Sequence, residues 1–180
     1  MKDKIIKEPN KVLHQHAAEV LIEEITSPKI QRVIQDMKDA LQKTREGIGI
    51  AAPQIGYALR IFLASEEALR WDKVKDLPEE ERSTMKWEYY TFINPVIKKT
   101  ASKKINETEG CLSVPGIYGA VERKEKATIE AYNEWGEKFQ RGTSKLYARV
   151  MQHEIDHLNG ILFIEKAKNI QKLSRKKEES

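Results

Sequence analysis

The sequence predicts an α+β fold in which mostly antiparallel β-sheets pack around a helix near the C-terminus. Two helical patterns lie far apart, one at residues 28–44 and one ending at residues 159–160, with short strand-like segments between them. Helices and strands that do not alternate as βαβ units are typical of α+β proteins with antiparallel sheets. At 180 residues the chain is expected to form one domain, residues 1–166, followed by a basic tail, residues 167–180.

The N-terminal helix is predicted from Pro28 to about Thr44. Ser27 is a good N-cap, and proline suits the first helical position. Apolar residues then follow at helical spacing and form one stripe. This stripe is predicted to be core and consists of Ile30, Val33, Ile34, Met37 and Leu41.

The middle of the chain is predicted to be rich in β-structure. The charged stretch 65–88 is predicted as an inserted surface loop with room for a short helix. Residues 133–136 are typical of a hairpin turn. Strands are predicted at 59–64, 89–97, 121–126 and 127–132, with a polar edge strand at 98–106.

Composition favours a cytoplasmic protein. Hydrophobic residues make up 39% of the chain and charged residues 33%, and the net charge of +4 does not by itself predict nucleic-acid binding. The charged N-terminal segment precedes no apolar region of a signal peptide, and no apolar run reaches membrane-spanning length. The single cysteine excludes an internal disulfide, which fits a reducing compartment.

The clearest chemical motif is His-Glu-x-x-His in the predicted last helix. His153 and His157 are four residues apart, so on a helix both imidazoles lie on one face, where they can bind one metal ion. Glu154 can reach a water on that metal. Leu146 and Val150 continue the same face, which places the histidines against the core and argues against a pair of exposed surface histidines.

Two histidines need at least one further ligand. Thermolysin-like proteases take a downstream glutamate, but the downstream acids here lie close to the motif or in the tail. Metzincins use a third histidine, and Phe163 stands at that position. Cys111 is the remaining strong candidate. A Cys-His-His site keeps a fourth position open to water, which is the catalytic pattern.

Three motifs in this order resemble the peptide deformylase family. They are GIGIAAPQ at residues 47–54, EGCLS at 109–113 and QHEIDH at 152–157, and the resemblance covers roughly residues 9–166. Each motif alone is moderately specific, but the three together at this spacing are highly specific. The departures are a longer stretch at 65–88 and Glu107, where some relatives have an apolar residue, so they concern the rim of the substrate pocket.

The resemblance implies a metal-dependent hydrolase that removes the N-terminal formyl group from formylmethionine of newly made polypeptides and releases formate. It implies Cys111, His153 and His157 as metal ligands, with Glu154 as general base and then acid. It also implies Fe²⁺ as the physiological ion, while the residue types alone accept several borderline metals, including Zn²⁺, Ni²⁺ and Co²⁺.

Other residues are predicted to bind or support the substrate. The resemblance implies Gln54 and the backbone N–H of Leu112 as oxyanion donors, and Gly49 as a hydrogen-bond partner of the substrate backbone. An apolar methionine slot is predicted next to the motifs, although its residues could equally be plain core: Ile48, Leu146 and Val150. A metal-bound histidine needs an acceptor for its second N–H, which Glu109 or Asp156 could supply, and Asp156 could instead pair with Arg123.

Two other functions fit parts of the sequence. A metallopeptidase with the same metal centre would cleave peptides that carry no formyl group. A structural metal site in a ribosome- or RNA-binding module would need a fourth protein ligand, and the sequence offers no convincing one. The resemblance also implies the ribosome as a partner, through a lysine-rich tail predicted to be helical. Its basic residues are Lys166, Lys168, Lys172, Arg175, Lys176 and Lys177.

Overall fold

A computed structural model describes residues 4–44 and 47–173. Four α-helices lie in this part of the chain: α1 Pro28–Gln42, α2 Glu66–Val74, α3 Glu79–Thr84 and α4 Lys145–Leu158. Eight strands accompany them: β1 Gly49–Ala51, β2 Ile61–Ser65, β3 Tyr89–Thr100, β4 Lys104–Cys111, β5 Val114–Lys124, β6 Lys126–Tyr132, β7 Lys138–Ser144 and β8 Lys168–Lys172. None of the helices in these ranges has the length and apolarity that a membrane span requires.

The strands form two antiparallel sheets. The larger has the order β1-β2-β3-β6-β7 and the smaller the order β4-β5-β8. Neighbouring strands pair antiparallel throughout both sheets. The predicted α+β class with mostly antiparallel sheets is therefore confirmed, and the His-Glu-x-x-His motif lies on α4.

The five-stranded sheet is packed between α1 and α4. Strand β2 shows this best, because all five of its residues are buried. Side chains alternate across a strand, so Ile61 and Leu63 pack with α1, and Phe62 and Ala64 pack in the cluster that contains α4. The helix that carries the motif is thus fixed against a sheet face.

Helix α1 has the N-cap, the proline in the first turn and the buried apolar stripe that the sequence predicts. The Ser27 side chain accepts a hydrogen bond from the Ile30 N–H at 3.4 Å, and Pro28 occupies the first turn. All five residues of the predicted apolar stripe are buried. They pack against residues of β1, β2 and β3.

The stretch 65–88 is more helical than predicted. Ser65 ends β2 and also caps α2, where its hydroxyl accepts a hydrogen bond from the Glu67 N–H at 3.2 Å. Ala68 is buried in the cluster that contains α4. A serine cap followed by two glutamates in the first turn favours a helix start, so the loop prediction was wrong for most of this stretch.

The strands on either side of the predicted hairpin region also differ from the prediction: one predicted strand is divided, and one observed strand was not predicted. Residues 98–100 complete β3 and residues 104–111 form β4, so the predicted edge strand at 98–106 is divided between two sheets. The residues before α4 form β7, which pairs with β6 along seven residues. The predicted hairpin turn is confirmed at residues 133–137, where Gly136 has a φ of 82°.

The prediction of a helical tail was wrong for residues 168–172. They form β8, which pairs with β5 through Ile117–Lys172 and Tyr118–Gln171. The segment lacks an apolar helical stripe, whereas the edge of β5 offers backbone partners along its length. Residues 174–180, with Arg175, Lys176 and Lys177, lie outside the described ranges, and the domain boundary at residue 166 stays a prediction.

Candidate metal centre

Two histidines and one cysteine converge at the junction of α4 and β4. The rings of His153 and His157 have centroids 4.9 Å apart. Cys111 is the last residue of β4, where the chain turns and Cys111 pairs with Val114. Its Sγ lies 3.2 Å from His157 Nε2, and the ligand atoms of all three residues lie within 4.8 Å of one another. One small ion can therefore contact all three.

Glu109 orients one of these histidines. His153 Nδ1 lies 2.9 Å from Glu109 Oε2. A carboxylate only accepts hydrogen bonds, so Nδ1 carries the proton and Nε2 keeps a lone pair for a metal. Burial raises the pKa of Glu109, but hydrogen bonds from Arg123 and His153 outweigh burial and lower this pKa to about 2. Glu109 is therefore the acceptor, a choice that the sequence left open.

A buried arginine connects Glu109 to α4. Arg123 on β5 contacts Glu109 through Nε at 2.8 Å and Nη2 at 2.9 Å, and its Nη1 contacts Asp156 Oδ2 at 2.5 Å. Lys166 Nζ lies 2.7 Å from both carboxylate oxygens of Asp156. Buried carboxylates need such partners. The pairing of Asp156 with Arg123 therefore ties the smaller sheet to the motif helix.

The donor set fits a divalent transition metal. A soft thiolate and two imidazoles suit borderline metals such as Fe²⁺ and Zn²⁺. Burial lowers the pKa of His157 and so favours the neutral, metal-binding imidazole. Burial also lowers the pKa of His153, but the Cys111 sulfur and Glu109 carboxylate outweigh burial and raise it. Negative groups that attract a proton to this point also attract a metal cation.

Glu154 stands beside this centre in a buried position. Its residue exposure is 4%, and burial raises the pKa of its carboxyl group to about 7. Within the described part of the chain, its Oε2 has no hydrogen-bond partner. Strand β1 passes close by, since a Cβ on Gly49 would lie 2.5 Å from Glu154 Oε1. A carboxyl group with a pKa near neutrality can both accept and return a proton.

Gln54 presents an N–H donor to the same point. Its Oε1 accepts a hydrogen bond from the Ala51 N–H at 2.8 Å, which fixes the orientation of the buried side-chain amide. Its Nε2 then donates to Ser113 Oγ at 3.2 Å and lies 3.5 Å from Cys111 Sγ. No sequence pattern predicted the contact with Ser113.

The N-terminal segment holds two parts of the site together. The Ile6 N–H donates to the Gln54 carbonyl at 2.7 Å, and the Glu8 N–H donates to the Ser113 carbonyl at 2.9 Å. Between them, Lys7 Nζ donates to the Leu112 carbonyl at 2.5 Å. The loop that carries the Leu112 N–H is thus fixed relative to the Gln54 loop.

A cleft of about 570 Å³ opens onto these residues. The structure places Ile48, Gly49, Leu146 and Val150 in its walls, as predicted for substrate-binding residues, although their roles remain predictions. Sequence reasoning missed part of the lining: Lys7, Ile117, Tyr118, Arg149 and Leu173. The helical spacing of three residues from Leu146 could have indicated Arg149. The others come from distant segments.

Comparison with known proteins gives matches along most of the chain. The family model described as Polypeptide deformylase matches residues 2–173. Peptide deformylase from Carboxydothermus hydrogenoformans is 40% identical over 154 residues, which cover 86% of this chain and 87% of that protein. Peptide deformylase 1A, chloroplastic/mitochondrial, from Arabidopsis thaliana is 37% identical over 164 residues, and the match covers 90% of this chain but 60% of that protein.

A solved structure agrees with these sequence matches. The Met-Ala-Ser-bound crystal structure of class I type b peptide deformylase from Acinetobacter baumannii matches with a TM-score of 0.76 and 30% sequence identity. The match covers 91% of this chain and 96% of that chain. The similarity therefore extends over both sheets and the motif helix.

Proposed function

The chain belongs to the polypeptide deformylase family, and on that premise we propose that the cleft at α4 and β4 hydrolyses the formyl group of N-formylmethionyl peptides. As a member of this family it is a metal-dependent hydrolase that removes the N-terminal formyl group from newly made polypeptides and releases formate. The observation that carries the site assignment is the convergence of one thiolate and two imidazoles beside a buried carboxylate. The cytoplasmic location expected from the sequence is part of the proposal.

The proposed metal ligands are Cys111, His153 and His157. When bound, the metal ion acts as a Lewis acid that polarises the formyl group and lowers the pKa of water. We propose Fe²⁺ as the physiological ion, with Zn²⁺, Ni²⁺ or Co²⁺ as substitutes, because a thiolate with two imidazoles suits all four. Elemental analysis of anaerobically purified protein tests this, and an ion outside this group would contradict it.

Glu154 is the proposed proton carrier. Its pKa of about 7 lets it remove a proton from the attacking water. The same carboxyl group then donates that proton to the departing amine of the methionine. Because Oε2 has no hydrogen-bond partner within the described residues, this oxygen can hold the proton between the two steps.

Gln54 and the Leu112 N–H are the proposed donors to the oxyanion. The Gln54 amide is already oriented by the Ala51 N–H, so its Nε2 does not need to reorganise as charge develops. Lys7 fixes the peptide group on the other side of Leu112. Gly49 is the proposed backbone partner of the substrate, since β1 borders the cleft.

A formate-release assay tests the proposed function. We expect the metal-loaded protein to release formate from formyl-Met-Ala-Ser and to leave acetyl-Met-Ala-Ser nearly untouched. An internally quenched peptide without a formyl group measures peptidase activity in parallel. Turnover of that peptide without formate release would contradict the assignment and favour the metallopeptidase alternative.

We also propose that the basic C-terminal residues contact the ribosome. Lys168 and Lys172 on β8 are exposed, and three further basic residues follow at 175–177. Clustered cations attract phosphate groups in a salt-dependent way. Removing residues 174–180 keeps β8 and is expected to weaken binding to ribosomes in a sedimentation assay. Unchanged binding would contradict this part of the proposal.

A further inference from the structure

Two polar cross-links connect α4 to β4 along the cleft. One joins His153 to Glu109 at the metal centre. The other joins Arg149 to Glu107, and Arg149 Nη1 also lies 3.5 Å from the Thr108 carbonyl. Residues four apart on a helix and two apart on a strand face the same way. The second cross-link therefore lies about 6 Å from the first, one helical turn nearer the start of α4.

The cleft wall beside the two cross-links is apolar. Val150 lies between Arg149 and His153 along α4, and Leu146 lies about one turn before Val150. Both residues line the cleft together with Ile48, which precedes β1. Val150 is almost fully buried in the protein core. The cleft reaches from the reacting centre at His153 to Arg149, which lies about one helical turn away along α4.

The Arg149 side chain differs from an ordinary surface cation. Only 16% of it is exposed, although its partner Glu107 is 51% exposed. The stem of an arginine packs as an apolar group while its charged head keeps polar partners. Arg149 can therefore extend the apolar wall with its stem and end the slot with its paired guanidinium.

We propose that the Arg149–Glu107 ion pair closes the far end of the slot that receives the first side chain of the substrate, and so limits the length of that side chain. This inference rests on the proposed function. Methionine is unbranched and has four heavy atoms beyond Cα, which fit a slot of about one helical turn. A longer side chain would have to displace a guanidinium from both its partners, which leaves buried charge poorly solvated.

Substrates that differ by one methylene test the length limit. The kcat/KM for formyl-Met-Ala-Ser is compared with that for formyl-ethionine-Ala-Ser, whose side chain is one methylene longer. Pockets discriminate one methylene by roughly 10–200-fold, so the wild-type protein is expected to prefer methionine by at least about tenfold. A wild-type protein without this preference would overturn the proposal.

Variants then assign the limit to the ion pair. Arg149→Ala is expected to bring the ratio of the two kcat/KM values near one. Glu107→Ala is expected to lower the ratio less, because Arg149 keeps its contact with the Thr108 carbonyl. Lys145→Ala is the matched control, since its ion pair with Asp72 also lies on α4 but outside the cleft. Equal losses for both substrates in Arg149→Ala would indicate a structural role and overturn the proposal.

Product binding separates this inference from the proposed function. Calorimetry measures the Kd values of Met-Ala-Ser and ethionine-Ala-Ser for the same variants without requiring turnover. If the wild-type protein releases no formate, the proposed function fails, but a length preference in Kd that disappears in Arg149→Ala still supports the closed slot. If Arg149→Ala does not fold, Glu107→Ala decides, and an unchanged wild-type preference in that variant overturns the proposal.

Discussion

Replacing Gly49 with alanine tests whether the close passage of β1 positions Glu154. A Cβ at residue 49 would lie 2.5 Å from Glu154 Oε1 and 3.0 Å from Val150 Cγ1. Ordinary contact begins at 3.4 Å, so the carboxylate oxygen would have to move by about 0.9 Å, the difference between 3.4 and 2.5. Gly49 lies in a regular strand without a positive φ, so the perturbation is this contact and not backbone strain.

The size of the effect follows from this displacement. Glu154 is buried and lines the cleft, so a shift that relieves the contact displaces its carboxylate relative to the substrate. A misplacement of about 1 Å in a reacting group costs on the order of 100-fold in rate, which corresponds to about 2.7 kcal/mol of activation free energy. We therefore expect Gly49→Ala to lower kcat by about 100-fold and to bind as much metal as the wild-type protein.

Formate release and elemental analysis measure these two quantities. Gly142→Ala is the matched control, because Gly142 also lies in a strand and a Cβ there meets no atom within 4 Å. A kcat close to the wild-type value in Gly49→Ala would refute the reasoning. So would an equal loss in Gly142→Ala, or a loss that appears only in KM, since neither follows from a displaced proton carrier.

Three further substitutions have distinct expected outcomes. Glu154→Gln should lower kcat by about 10²–10⁴-fold with unchanged metal content, and full turnover would exclude Glu154 as the proton carrier. Gln54→Ala should lower kcat by about 10²–10³-fold, whereas a rise in KM alone would indicate ground-state binding. Arg123→Leu leaves Glu109 without its arginine partner and should cost about 3–5 kcal/mol of unfolding free energy. Thermal denaturation measures the last effect, and an unchanged Tm would contradict the role of the buried network.

Local signals predicted the elements on which the site is built. The Ser27-Pro28 start and the apolar spacing after it are complete within one helix, so α1 was predictable to within two residues of its end. The motif helix carries its own periodicity up to Asn159-Gly160, and it ends there. Such helices can be predicted without reference to the remaining chain, because their backbone hydrogen bonds form within the segment itself.

Long-range pairing explains the elements that were missed. Strand β8 has no apolar alternation of its own, and all five of its residues are exposed. It exists because β5 presents a free edge, and a strand accepts backbone hydrogen bonds from any chain of suitable geometry. The lysine-rich composition around Lys168 and Lys172 therefore predicted a solvated tail. It contained no information about the strand with which this segment pairs.

The residues of the arginine network were predictable from the sequence, but their pairing was not. The sequence named Glu109, Asp156 and Arg123 as candidates, but the register of β4 against β5 and the approach of α4 decided their pairing. One guanidinium compensates both the carboxylate that orients His153 and the carboxylate on the motif helix. Because an unpaired buried charge is costly, the smaller sheet and α4 cannot separate without exposing these charges. The geometry of the metal ligands is therefore held by the same contacts that hold the smaller sheet to the helix.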